Sequence, residues 1–168
     1  MAYIDAALAA NRDAVNELIA AAERTGKTWT EPRAPGKWSP SQVVEHVARA
    51  LEESANVVSG APSKFPKLPT FVRPVVRGIF FNRVLKKSTF PKAKTSKAFD
   101  PAGGPATPAA GRVRLEQALA SFDEASRARA VSGTKVESTI FGVVSVEDYA
   151  RFQELHTRHH CKQISAAT

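Results

Sequence analysis

Four segments of the chain repeat apolar residues at steps of three and four, and this spacing restricts the fold more than any other feature. Such a repeat predicts an amphipathic helix, because residues three and four apart lie on one helix face. The predicted helices span residues 3–24, 40–59, 108–131 and the stretch from 145 onward. Loops rich in proline and glycine separate them, and residues 137–144 predict an extended connector or a lone strand. We therefore expect an all-α protein, an antiparallel four-helix bundle, in one domain over residues 1–168.

The start of the second helix carries a complete set of helix-start signals. Ser39 is a good N-cap residue, Pro40 suits the first helical position, and Gln42 stands three residues after the cap to complete a capping box. Trp38 precedes the cap, where it can pack on the first turn as a hydrophobic staple. These residues place the beginning of this helix at one position in the sequence.

Positive charge is concentrated in one segment, the basic insert. Residues 61–99 contain ten Lys or Arg and no Asp or Glu, whereas the whole chain has a net charge of +8, so the rest of the chain is close to neutral. Within the insert and the loop that follows it (61–108), residues 71–87 predict an extra basic helix between the second and third bundle helices. The apolar side that we expect to cover the bundle consists of Val75, Val76, Ile79, Phe80, Val84 and Leu85. The cations that we expect to face solvent or an anionic ligand are Arg77, Arg83, Lys86 and Lys87.

Composition excludes several classes of protein. Cys161 is the only cysteine, which excludes an internal disulfide and a cysteine-based zinc finger. The longest charge-free stretch is shorter than the roughly 20 residues of a transmembrane helix, and Asp5, Arg12 and Asp13 interrupt the apolar run that a signal peptide needs. We therefore expect a cytoplasmic protein without a transmembrane segment, and a homodimer remains open. The insert lacks a recognisable DNA-binding motif, so we expect no specific nucleic-acid partner.

All four histidines fall on two predicted helices, His46 on the second and His156, His159 and His160 on the last. The spacing of His156 and His160 stacks two imidazoles on adjacent turns, about 5–6 Å apart at Cβ, a separation that one metal ion can bridge. A third imidazole from a facing helix would complete a three-nitrogen site with an open position, as in catalytic rather than structural centres. His159 is an alternative ligand, and Gln163 can hydrogen-bond a ligand ring. The competing interpretation is a set of buried core histidines with ordinary hydrogen-bond partners.

Two other side chains bear on the same site. Glu53 lies two turns beyond His46 on the same side of the second helix, where it is a base, a fourth ligand or an exposed carboxylate at the bundle end. Cys161 turns away from the inward side of the last helix, so we expect a bystander thiol. The sequence H-T-R-H-H at 156–160 lacks the Glu of the H-E-x-x-H zinc proteases, so it supplies no neighbouring base to activate water.

Two segments resemble one known family. W-S-P-S-Q-V-V-E-H at 38–46 resembles the opening of the second helix in the DinB/YfiT-like superfamily, and residues 141–164, with His-x-x-x-His followed by Gln-Ile, resemble its last helix. The Phe-Gly at 141–142 and the doubled histidine are similar to a subfamily known mainly as a domain of unknown function. The resemblance implies a four-helix bundle that binds a divalent metal through His46, His156 and His160. Three nitrogens with open positions suit Zn, Ni, Fe or Mn.

The resemblance also implies a chemistry, because the characterised relatives are thiol-dependent S-transferases and isomerases that use mycothiol, bacillithiol or glutathione. We therefore expect a metal-dependent S-transferase or detoxifying enzyme that joins a low-molecular-weight thiol to a small electrophile, such as a haloarene or an epoxide. A bound metal would lower the pKa of the thiol and hold the thiolate as nucleophile, and the cations of the insert would attract an acidic thiol. The alternative is a non-catalytic metal-binding module whose basic insert docks an anionic partner.

Overall fold

The computed structural model describes residues 2–91 and 99–165, and helices make up most of this part of the chain. The helices are α1 (Ala2–Glu23), α2 (Pro40–Ser59), α3 (Arg73–Val76), α4 (Asn82–Lys87), α5 (Pro108–Ser132) and α6 (Val146–Ser165). A short 3₁₀ turn (Gly26–Thr28) follows α1, and a π-helical turn (Arg77–Phe81) joins α3 to α4. The expectation of an all-α protein is confirmed at this level. Within the described residues, no helix combines the length and the apolar character that crossing a bilayer requires.

A β-hairpin occupies the segment between α5 and α6. Strand β1 (Val136–Ser138) pairs antiparallel with β2 (Gly142–Val144), and Val136 lies opposite Val144. Gly142 has a φ of +72°, a left-handed conformation that glycine adopts without a steric penalty. The predicted extended connector or lone strand is therefore a two-stranded sheet, because the turn at 139–141 folds the β-branched residues back on one another.

Helix α2 begins and ends where its capping residues predict. The Ser39 side chain accepts a hydrogen bond from the backbone N–H of Gln42, and the Gln42 side chain accepts one from the backbone N–H of Ser39, which completes the predicted capping box. Gly60 ends the helix in a left-handed conformation with a φ of +84°. Because α2 carries His46, these caps fix which turn of the helix that histidine occupies.

The four long helices share one core. Helix α2 packs against α5, α1 packs against α6 and α5, and α2 also contacts α6. Fully buried members of this core include Leu8, Val47, Leu115 and Phe122.

Polar contacts also join the long helices. The Asn11 side-chain amide donates a hydrogen bond of 2.8 Å to the carbonyl oxygen of Ala150, which joins α1 to α6. Arg114 pairs with Glu45 and Glu52, which joins α5 to α2. These contacts set the relative positions of α2 and α6, the two helices that carry the histidines.

The insert helix (73–87) consists of α3, the π-helical turn and α4, and it begins two residues later than predicted. Phe81 and Val84 are buried in the core, and Phe80 packs against it. Val75 and Ile79 are 56% and 68% exposed, so the expectation that they cover the bundle is wrong. The physical reason is rotation, because successive helical residues are turned by about 100° and only one side of a surface helix can touch the core.

The loop before α5 lies tightly against the start of α2. Ser41 Oγ and Trp29 Nε1 both donate hydrogen bonds of 2.7 Å to the carbonyl oxygen of Pro105. A Cβ atom added to Gly104 would overlap the backbone carbonyl of Ser41, whereas a Cβ atom added to Gly103 would meet nothing within 4 Å. Two adjacent glycines therefore differ completely in the space around them.

Gly104→Ala should lower the free energy of unfolding by about 1–3 kcal/mol, because the added methyl group forces the loop away from rigid backbone rather than from a flexible side chain. Gly103→Ala is the matched control and should change it by less than about 0.5 kcal/mol. Urea unfolding followed by circular dichroism measures both values. Equal losses in the two variants would contradict the close approach of the loop to α2.

Candidate metal centre

The structure brings three of the four histidines together. His46 on α2 and His156 and His160 on α6 each offer a ring nitrogen, and these three atoms all lie within 4.8 Å of one another. Nε2 of His156 lies 3.3 Å from Nε2 of His46 and 3.1 Å from Nε2 of His160. Nitrogens from two helices therefore converge on a small region.

The outer nitrogens of two of these rings have partners that determine their tautomers. His46 Nδ1 lies 2.9 Å from the carbonyl oxygen of Phe99, and His160 Nδ1 lies 3.0 Å from Oε1 of Gln163. Carbonyl and amide oxygens only accept hydrogen bonds, so both Nδ1 atoms carry the proton and donate it. The Nε2 atoms of His46 and His160 therefore present lone pairs to His156.

A divalent cation fits this donor set better than a proton does. A proton on Nε2 of His156 forms one good hydrogen bond, which leaves a second lone pair facing the same nitrogen. Two nitrogens that each lie about 2.0–2.1 Å from one ion are about 2.9–3.4 Å from each other. The pairs of His156 with His46 and with His160 have such distances, and the third pair lies within 4.8 Å, so binding of an ion would draw His46 and His160 closer together. The outer N–H groups of His46 and His160 also have oxygen acceptors of the kind that orient ligand rings.

Burial keeps the converging imidazoles neutral. It lowers the pKa of His46, although the hydrogen bond to the Phe99 carbonyl acts in the opposite direction. Burial lowers the pKa of His156 well below its usual value, and the nearby His160 and His46 lower it further. The pKa of His160 falls to about 3, again mainly through burial and then through His46. All three rings are therefore neutral at pH 7, and neutral imidazole is the form that binds a metal ion.

Gln163 connects His160 to the fourth histidine. Its Oε1 atom accepts from His160 Nδ1, and its amide Nε2 donates to Nε2 of His159 at 3.1 Å. His159 is half-buried, and both burial and the nearby Lys162 lower its pKa. Because the Gln163 amide occupies its Nε2 atom, His159 lies beside the converging group rather than in it, and Gln163 is placed to orient the His160 ring.

The three histidines form part of the lining of a cavity of about 1060 Å³. Aromatic rings make up much of the remaining lining, namely Trp38, Phe65, Phe80, Phe90, Phe99, Phe141, Tyr149 and Phe152. The Trp38 ring centre lies 4.8 Å from that of His46, and the Phe90 ring centre lies 5.5 Å from that of His156. His156 is not fully buried and keeps part of its surface accessible. Aromatic rings thus pack beside all three histidines, and His156 is the most accessible of them because His46 and His160 are buried.

Comparison with known proteins identifies the family of the chain. A family model described as "Protein of unknown function (DUF1569)" matches residues 6–167, which is almost the whole sequence. The chain belongs to the DUF1569 family. The matched range contains the three converging histidines and the entire basic insert. No curated protein and no solved structure is detectably similar to the chain.

Four cations of the insert helix in this DUF1569 protein, Arg77, Arg83, Lys86 and Lys87, were candidates for binding an anionic ligand. Arg83, Lys86 and Lys87 are exposed, as expected for groups that face solvent. Arg77 instead donates a hydrogen bond of 2.6 Å to the carbonyl oxygen of Val143, so it attaches the insert helix to β2. None of these four side chains lines the cavity.

Two other cations do line the cavity, and sequence reasoning missed both. Arg33 and Lys37 belong to the loop that precedes α2. Arg33 Nη1 donates a hydrogen bond of 2.7 Å to the carbonyl oxygen of Gln163, so the loop is tied to the end of α6. Lys37 directly precedes Trp38, and the Trp38 ring packs on His46. The predicted packing of Trp38 on the first turn of α2 was therefore the one signal that pointed to Lys37.

Glu53 and Cys161 do not belong to the cluster of converging nitrogens. Glu53 is buried rather than exposed at the end of the bundle. Its carboxylate accepts a hydrogen bond of 2.8 Å from the backbone N–H of Lys64 and pairs with the Lys64 ammonium at 3.7 Å, so it attaches the start of the insert to α2. Cys161 is partly buried against the core and is not among the described residues that line the cavity.

Proposed function

We propose that this DUF1569 protein is a divalent-metal-dependent enzyme that transfers a low-molecular-weight thiol to an electrophile. The observation that carries the proposal is the convergence of three imidazole nitrogens at the wall of a large, mainly aromatic cavity. We also propose that the fold is an antiparallel four-helix bundle of the DinB/YfiT-like type, with the insert helix as its extra basic helix. The shared core of α1, α2, α5 and α6 supports this assignment, as do the motifs on α2 and α6.

In this proposal His46, His156 and His160 hold the ion, which is Zn, Ni, Fe or Mn. A bound divalent ion supplies a Lewis acid that lowers the pKa of a thiol and stabilises the thiolate. The carbonyl oxygen of Phe99 and the Gln163 amide orient the His46 and His160 rings, since each accepts the outer N–H. The aromatic rings beside the histidines limit the access of water to this end of the cavity.

The groups around the histidines favour a thiol over water as the nucleophile. Among the described residues that line the cavity, Glu31 is the one carboxylate, and it is exposed. His159 has its Nε2 lone pair occupied by the Gln163 amide, so that nitrogen is not free to accept a proton from water. A thiol with a pKa of about 8.5 becomes mostly thiolate after a small decrease in pKa, and its proton goes to solvent without a protein base. The sulfur would then bond to carbon while a haloarene loses halide or the C–O bond of an epoxide opens. Hydrolysis would need a protein base.

The test is thiol consumption by the metal-loaded protein. Mycothiol, bacillithiol, glutathione and cysteine are each mixed with chlorodinitrobenzene or an epoxide, and the loss of free thiol is followed over time. The activity should disappear on chelation and in His156→Ala. It should persist in Cys161→Ser, because the Cys161 side chain does not line the cavity. If the loaded protein consumes none of the four thiols, the alternative of a non-catalytic metal-binding module replaces the enzyme.

A second candidate function uses the outer side of the insert helix. Val75 and Ile79 are exposed there, and Phe71 in the preceding turn is 83% exposed. These apolar side chains are spaced by four residues, and the exposed Lys86 and Lys87 follow them in α4. We propose that this surface docks on an anionic membrane surface, where apolar side chains enter the headgroup region and cations meet the phosphates. A second copy of the chain fits poorly, because a two-fold contact would bring two positive segments together.

Sedimentation with lipid vesicles tests this surface. The protein should bind vesicles that contain phosphatidylglycerol and should not bind pure phosphatidylcholine. The single variant Lys86→Gln should weaken binding about fivefold, since one cation near an anionic surface contributes about 1 kcal/mol. Ile79→Ser should also weaken binding, because it removes an apolar side chain that would enter the headgroup region. Val131→Ser is the matched control, because Val131 is similarly exposed, at 73%, on α5. Equal binding of all variants, or capture by polyglutamate in place of vesicles, would contradict a membrane surface as the partner.

A further inference from the structure

The cavity beside the histidines has an aromatic wall that the metal centre does not require. Phe90 packs on Phe152 with ring centres 4.9 Å apart, and Phe80 stacks with Phe141 at 6.3 Å. The Phe90 ring also lies 5.5 Å from that of His156, so the aromatic wall begins at the accessible histidine. Rings arranged in this way offer an apolar lining to a flat ligand, because aromatic pairs favour stacked and edge-to-face contacts.

The rim of the same cavity carries two cations that the metal centre does not require either. Arg33 is held at the end of α6 by its bond to the Gln163 carbonyl, and a guanidinium with five N–H groups keeps donors available beyond that bond. Lys37 is exposed beside Trp38. Glu31 is the one carboxylate among the described residues of the lining, so the charged groups of the lining sum to a positive charge. A positive rim attracts an anion and disfavours a cationic ligand.

We infer that the cavity binds a molecule with a flat apolar body and an anionic group, such as an aromatic carboxylate or sulfonate. The apolar body lies against the aromatic wall that Phe90 begins, and the anionic group reaches Arg33 and Lys37 at the rim. A volume of about 1060 Å³ is at the upper end of the range of small-molecule sites, about 300–1,000 Å³. It therefore accommodates a ligand larger than a simple haloarene or epoxide. Naming this molecule as the electrophilic substrate rests on the proposed function, whereas the binding itself does not.

Two fluorescent probes separate the apolar and the anionic parts of this inference. Anilinonaphthalene sulfonate carries both parts, and phenylnaphthylamine has the same ring system without the sulfonate. Both probes are titrated into metal-free protein in the presence of a chelator, so the result is independent of catalysis. The wild-type protein should bind one molecule of either probe per chain, and each probe should displace the other.

Removal of the rim cations should affect the anionic probe alone. Arg33→Gln with Lys37→Gln should weaken binding of the sulfonate about tenfold, since two cation–anion contacts are lost, and should change binding of the neutral probe less than twofold. Lys37→Gln alone leaves the hydrogen bond from Arg33 to α6 in place. It should weaken binding of the sulfonate about threefold. Phe90→Ala should weaken the binding of both probes, because both carry the apolar ring system that lies against Phe90.

Matched controls remove charge or apolar surface elsewhere. Arg83→Gln with Lys86→Gln removes the same charge outside the cavity, and Ile79→Ser removes an exposed apolar side chain of the insert helix. Both should leave both affinities within twofold. The inference is overturned if the rim variants weaken the two probes equally, if they weaken neither, or if the control variants match them. Failure of thiol transfer with retained probe selectivity would remove the proposed function and leave the binding site.

Discussion

Replacing His156 by alanine is expected to reduce the bound divalent metal from close to one ion per chain to almost none. The reason is geometric, because Nε2 of His156 lies within 3.3 Å of both other converging nitrogens and is the atom that links the α2 and α6 donors. The two nitrogens that remain come from different helices and form an incomplete ligand set. Loss of a group that only orients a metal ligand typically lowers metal affinity about 10–100-fold. Loss of the His156 ligand itself should lower the affinity for the metal by more than that.

Elemental analysis of protein purified without a histidine tag measures this loss. His159→Ala is the matched control on the same helix, and it should retain most of the metal because the Nε2 atom of His159 bonds the Gln163 amide. Gln163→Ala should lie between the two, since it removes the acceptor that orients His160. Unchanged metal content in both His46→Ala and His156→Ala would reject the metal centre, and with it the proposed thiol chemistry.

The second large effect concerns the insert helix. Phe81→Ala should lower the free energy of unfolding by about 3–5 kcal/mol, because truncation of a buried phenylalanine removes its apolar contacts and leaves a cavity. The Phe81 side chain is 1% exposed, and its ring centre lies 4.9 Å from that of Phe141 and 5.0 Å from that of Phe152. Ile79→Ala, two residues earlier, should cost less than about 0.5 kcal/mol, because Ile79 faces outward.

Urea unfolding of the two variants under identical conditions compares these values. Similar m-values in both proteins would show that the same surface is exposed on unfolding, so the difference in midpoint reports stability. A large loss in Ile79→Ala together with a small loss in Phe81→Ala would mean that the opposite side of the insert helix packs on the core. The outward position of Ile79, on which the proposed membrane surface depends, would then be wrong.

Local sequence signals accounted for much of the helical structure. The apolar repeats located the four long helices, and Ser39, Pro40 and Gln42 located the start of α2 to the residue. Such signals succeed because a cap or an amphipathic side depends on residues within one or two turns. The same locality explains the pairing of His156 with His160, which are one turn apart on any helix. The DUF1569 match adds the family, and the DinB/YfiT-like resemblance stays a prediction.

The insert helix shows where periodicity stops being sufficient. Its apolar residues are spread around more of the helix than the one side that can pack on the core. The pattern alone therefore could not decide which of them are buried. Packing chose Phe80, Phe81 and Val84, and it left Val75 and Ile79 outside. A similar ambiguity applied to the segment before α6, where the same β-branched residues fit an extended connector or a hairpin.

Residues close together in sequence were enough to predict the four long helices, the start of α2, and the stacking of two histidines on α6. The position of His46 beside these two histidines follows from the packing of α2 on α6. The same packing brings the Phe99 carbonyl and Gln163 to the rings, and Arg33 and Lys37 to the rim of the cavity. Helix formation depends on neighbours within a few residues, whereas the contact of His46 with His156 joins positions 110 residues apart in sequence. Contacts of that kind exist only after the helices have packed on one core, because packing alone sets which helix sides face each other.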